Sequence, residues 1–115
     1  MPDLWLGPDS FRFEEIVINR LIWPGQTGNY VLGLKDESGE FVPKYIGRSD
    51  TDLRGEMMSK LATMKYPYFK YSIGHPVVAF EIECAQFHNF RKTLENRSHP
   101  ASPEGLGLKC FLCGL

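Results

Sequence analysis

Gly28-Asn29-Tyr30-Val31-Leu32-Gly33-Leu34, the turn Asp36-Glu37-Ser38-Gly39-Glu40, and Phe41-Val42-Pro43-Lys44-Tyr45-Ile46-Gly47 together decide the fold of this chain. Two runs rich in β-formers around a short polar turn predict an antiparallel hairpin. Downstream, Asp50, Thr51 or Asp52 can cap a helix running to about Lys65. Its apolar positions, Leu53, Met57, Leu61 and Met64, share one face of a 3.6-residue period. Tyr66-Pro67 ends it, and Tyr68–Ile73 reads as a third strand. Gly74-His75-Pro76 then opens a second helix, with the proline in its first turn, expected to reach about Leu94. Upstream, Phe11 to Ile18 has apolar residues at mixed spacing and reads as a strand or a short helix. The expected order is β-β-α-β-α plus a tail: an α+β fold with a small three-stranded antiparallel or mixed sheet flanked by helices.

The 115 residues suit a single domain, with a core over about 28–94 and a tail over 95–115. A hydrophobic content of 43% is too high for a disordered chain, and no apolar run approaches the roughly 20 residues of a membrane helix. Met1 to Trp5 has neither the basic start nor the apolar stretch of a signal peptide, so the expected location is intracellular and cytoplasmic. These features exclude a helical bundle, a secreted disulfide knot and a membrane protein from the leading readings. The net charge of −1 conceals an uneven distribution. Residues 1–43 carry three basic and seven acidic groups, whereas residues 44–70 carry six basic and three acidic. A basic middle third suits a phosphate-facing surface, and equally a solvated face. Trp5 and Trp23 are expected to pack the N-terminal segment across the sheet.

On the second helix Phe80, Phe87, Phe90 and Leu94 fall on one stripe, and Glu83 occupies the position that completes it. A carboxylate there needs a compensating partner: a basic side chain, a water cluster, a metal ion, or escape to solvent at the edge of the stripe. Cys84 and His88 lie four residues apart on the same helix, and Cys110-x-x-Cys113 follows in the tail. Together they form a Cys3His set of the kind that structural zinc uses. His99 is the alternative nitrogen ligand to His88. Two other readings stay open, a simply buried Cys84 and a redox pair at Cys110 and Cys113.

Gly28-Asn29-Tyr30 and Tyr45-Ile46-Gly47 resemble the paired signature of the GIY-YIG nuclease superfamily. Gly47-Arg48-Ser49 leading into Asp52-Leu53, and Ala79-x-x-x-Glu83 on the second helix, extend the resemblance over roughly residues 28–90. The tail, with Asn96, His99-Pro100, Pro103 and C-x-x-C, resembles the subset of that family with an appended zinc-binding HP…CxxC segment.

The resemblance implies a metal-dependent endonuclease acting on nucleic acid, DNA in the first place, with a protein partner left open. Glu83 would hold a catalytic Mg²⁺ or Mn²⁺. Tyr30 and Tyr45 would orient or deprotonate the attacking water, and Gly47 would belong to the phosphate-facing surface. One position departs from the pattern: Glu56 stands where the family has an arginine, and Lys60 where a histidine is common. Arg54 lies about 160° around the helix from Glu56 and fills that place only with a register shift. Arg48, just before the helix, is the alternative cation for a phosphate, with Lys60 as a further contact. The rival to a nuclease is a catalytically degenerate nucleic-acid-binding or protein-interaction module on the same zinc-stabilised fold.

Overall fold

The computed structural model describes residues 6–114. Seven elements follow one another: β1 (Phe11–Arg12), α1 (Glu15–Leu21), β2 (Gly28–Lys35), β3 (Phe41–Ser49), α2 (Leu53–Leu61), β4 (Tyr68–Ile73) and α3 (Pro76–Phe90). The strands form one antiparallel sheet in the order β1-β4-β2-β3. The α+β class is as expected, but the sheet has four strands rather than three. The ambiguous segment at 11–18 resolves into both alternatives: Phe11–Arg12 pairs with β4, and a helix begins at Glu15.

Helices cover both faces of the sheet. Tyr30, Leu32 and Phe69 point to one face, where Ile18 and Ile22 from the α1 region and Leu53 and Met57 of α2 close over them. Val31 and Ile46 point to the other face, against Phe87 of α3. β2 is therefore central and buried from Gly28 to Gly33, which explains its near-continuous apolar run. Each fully buried Leu or Phe here contributes about 1.5–3 kcal/mol. Trp23 does not pack across the sheet; it is 72% exposed, and Trp5 lies outside the described residues.

Local chemistry sets the element ends. In the β2–β3 turn, Asp36 Oδ1 accepts from Ser38 N and Glu40 N at 2.9 and 3.0 Å, and Gly39 takes a φ of 88°. Asp52 occupies the N-cap position of α2, but its carboxylate accepts from Gly25 N at 3.0 Å rather than capping the helix. α2 ends at Leu61, short of Lys65, and α3 ends at Phe90, short of Leu94. His75 caps α3 by accepting from Val77 N at 3.1 Å, one residue before Pro76.

β3 lies at the sheet edge, which makes Pro43 acceptable there. Its free side is taken by the tail: Asn96 Oδ1 accepts from Ile46 N at 2.8 Å and Asn96 Nδ2 donates to Ile46 O at 2.9 Å. Glu95 N also donates to Lys44 O, so the Asn96 amide and the backbone beside it substitute for a neighbouring strand. Among the described residues no helix is long and apolar enough to cross a membrane.

Candidate functional site

Side chains alternate along β3, so its C-terminal end serves both faces of the sheet. Tyr45 and Gly47 look toward α2, and Arg48 looks toward α3. Tyr30, on the neighbouring strand, lays its ring directly over Gly47, where any Cβ would overlap the ring. That close approach is the physical reason for glycine at position 47.

The Tyr30 hydroxyl donates to Glu56 Oε2 at 2.8 Å. Burial first, then the charge and hydrogen bond of Glu56, hold this phenol well above its ordinary range. Glu56 also lies 4.0 Å from Lys60 Nζ, which stands 5.4 Å from the centre of the Tyr45 ring. The Tyr30 and Tyr45 rings are 6.3 Å apart. Arg54 is turned away, its Nε donating to Asn19 Oδ1 of α1 at 2.7 Å, so it does not fill the place that Glu56 holds.

On the α3 side Arg48 is fully engaged. Its Nε and Nη2 donate to the two Asp50 oxygens at 2.7 and 3.1 Å, and its Nη1 donates to Glu83 Oε1 at 2.9 Å. Nη2 also donates to Ala101 O at 2.7 Å, and the guanidinium carbon lies 5.4 Å from the Phe80 ring centre. Glu83 therefore has the partner that its place on the apolar stripe demanded. Burial still pushes its carboxyl up to about 7, with the Arg48 charge opposing and the charges of Asp50 and Glu56 adding to the rise. Beside Arg48 and Asp50 opens a cleft of about 610 Å³, walled by the end of β3, the start of α3 and Pro103, Glu104 and Leu106 of the tail.

A second cluster joins the end of α3 to the tail. One potential ligand atom each from His88, His99, Cys110 and Cys113 lies within 4.8 Å of all the others. His99 Nδ1 stands 2.8 Å from Pro100 O, and its Nε2 stands 3.4 Å from Cys113 Sγ. Ligands at about 2.0–2.3 Å from a tetrahedral ion sit roughly 3.3–3.8 Å from one another, so this pair already has the right spacing. His88 Nε2 is buried with no hydrogen-bond partner, an expense that an ion would remove. For Cys110, burial works against ionisation. Hydrogen bonds from the Leu112 and Cys113 N–H groups, with His99 and Cys84, more than offset it and bring the thiol below its ordinary value. These observations fit a bound metal ion.

The cluster that could hold an ion differs from the expected set by a single residue. Both histidines belong to it, and Cys84 does not; its side chain is wholly buried beside Cys110 and Phe80. The i, i+4 spacing of Cys84 and His88 was the stronger sequence signal, and the loop residue His99 had only its neighbouring proline to mark it. Asp50 was readable only as a helix cap, although both its oxygens accept from one edge of the Arg48 guanidinium.

No family model, curated protein or solved structure matches the chain.

What the two clusters can do follows from their parts. The first offers a buried carboxylate, a guanidinium and two tyrosines at the end of an edge strand. The second offers two thiols and two imidazoles close enough to share one ion, and four protein ligands are the pattern of a structural rather than a catalytic ion.

Proposed function

We propose that this chain is a GIY-YIG-like nuclease domain, closed by structural zinc at His88, His99, Cys110 and Cys113, that hydrolyses nucleic-acid phosphodiesters. Glu83 is the ligand for one Mg²⁺ or Mn²⁺, which would offset charge developing on the phosphate. Tyr30 and Tyr45 position the water and the phosphate from the opposite face of the sheet, at its end beside Gly47. DNA is the first substrate to test. The single observation that carries this reading is the Arg48–Glu83 contact at 2.9 Å, because it sets the α3 carboxylate against the residue that directly follows Tyr45-Ile46-Gly47.

The Tyr30–Glu56 bond favours a second reading, in which the domain binds nucleic acid without cutting it. A carboxylate beside the phenol opposes its ionisation and supplies no cation for the transition state. Cleavage of plasmid and branched DNA with Mn²⁺ or Mg²⁺ separates the two. Metal-dependent cutting that is lost in Glu83→Gln supports the nuclease. Equal residual cutting by both proteins removes the nuclease reading at this site, and retained DNA binding would then leave the binding module.

A further inference from the structure

We propose that Cys84 is a positioning residue of the metal centre, which holds the Cys110 thiolate through an S–H···S hydrogen bond and does not itself bind the ion. The inference rests on reading His88, His99, Cys110 and Cys113 as a metal site. Those four donors lie within 4.8 Å of one another, and four protein ligands fill a tetrahedral ion with no vertex left for a fifth side chain. Cys84 is nevertheless in contact with the cluster. It packs with Cys110 and Phe80 in one fully buried group, with Leu108 alongside, and its thiol is hydrogen-bonded to Cys110.

The two liganding sulfurs have different surroundings. Cys113 is exposed and water reaches it, whereas Cys110 is 2% exposed. A buried thiolate needs protein donors to offset its charge. Leu112 N supplies one at 3.4 Å. The Cys113 N–H is a second, and Cys84, wholly buried against Cys110 on α3, is the side-chain thiol placed to add another. Such second-layer partners commonly change metal affinity by about 10–100-fold.

Co²⁺ reports both ligand number and affinity, because each cobalt–thiolate bond adds charge-transfer absorption. The reduced, metal-free full chain is titrated with Co²⁺ as wild type, Cys84→Ser, Cys84→Val and Cys113→Ser, the last serving as the reference for loss of one liganding thiolate. Serine keeps a donor, and valine keeps the packing volume without one. The expected result is full absorption intensity in both Cys84 variants and about half in Cys113→Ser. Affinity should stay near wild type for Cys84→Ser and fall about 10–100-fold for Cys84→Val. An intensity loss in Cys84→Ser that matches Cys113→Ser would make Cys84 a ligand and overturn the proposal. So would Cys84→Val binding Co²⁺ as tightly as wild type. Absence of any thiolate band in the wild type would overturn the metal site itself, a failure visible before any variant is compared.

Discussion

Arg48 Nη2 donates to the Ala101 carbonyl at 2.7 Å, and Ala101 lies two residues beyond the cluster residue His99. The guanidinium that touches Glu83 is thus tied to the segment that a metal would fix. Arg48 is committed to Asp50, Glu83 and Ala101 together, so it is part of the frame that aims Glu83 rather than a free hand for phosphate.

Metal removal should therefore be felt in both clusters. The tail has little apolar mass: Leu106, Phe111 and Leu112 are exposed, and Pro103 and Cys110 are its buried residues. Chelation of the purified protein should lower its melting temperature by about 10 °C, equivalent to a few kcal/mol of linked binding. Elemental analysis should find about one zinc per chain before chelation. Unchanged melting in a metal-free sample would remove the staple.

Glu56 should restrain Tyr30. Glu56→Gln keeps the size of the side chain and removes the charge that raises the phenol, leaving burial as the main remaining cause. Because burial remains, Tyr30 should stay un-ionised wherever the fold persists, so phenolate absorbance of wild type and Glu56→Gln should match a Tyr30→Phe control until each unfolds. Glu56→Arg should go further by restoring a cation at the position the nuclease pattern expects. If that vacancy limits cleavage, the rate should rise by about 10²–10³.

The hairpin, both long helices and the isolation of Glu83 were legible in the sequence because they follow from periodicity and turn chemistry. The two-residue strand β1 was not, since Phe11–Arg12 acquires strand geometry only by pairing with Tyr68 and Phe69. The candidate metal cluster was legible as a composition of cysteines and histidines, but its membership depends on how the loop after α3 folds back. Asn96 fixes that path by bonding to Ile46, fifty residues away, a contact no local pattern encodes.

Glu83 gives the stability of the fold a pH dependence with a definite sign. Its carboxyl is pushed up to about 7 from an ordinary 4.5, so the folded chain holds that proton more tightly than the unfolded chain does. Its contribution is fully present below about pH 4.5 and is lost as the pH rises through about 7. A shift of this size corresponds to about 3 kcal/mol. Urea unfolding of wild type and Glu83→Gln between pH 4.5 and 8 should show the wild type losing stability relative to the variant as the pH rises. Parallel curves would mean that Glu83 keeps an ordinary carboxylate pKa in the fold.

Asn96→Ala should expose the sheet edge. The substitution leaves Ile46 N–H and C=O without the partners they now have at 2.8 and 2.9 Å, on the outer side of an edge strand. Unmet backbone groups of this kind cost about 1–3 kcal/mol, less where water replaces the lost bonds. The larger consequence is kinetic and intermolecular. An unpaired edge is a template for another chain, so the variant should associate with rising concentration while the wild type does not. Asn96→Asp provides the control: its carboxylate can still accept from Ile46 N but has no proton for Ile46 O, and its charge opposes pairing with a second copy. Light scattering should therefore place Asn96→Asp nearer to wild type than Asn96→Ala, although both melt earlier. Equal association of the two variants would show that the tail covers the β3 edge by bulk, without the help of the Asn96 amide.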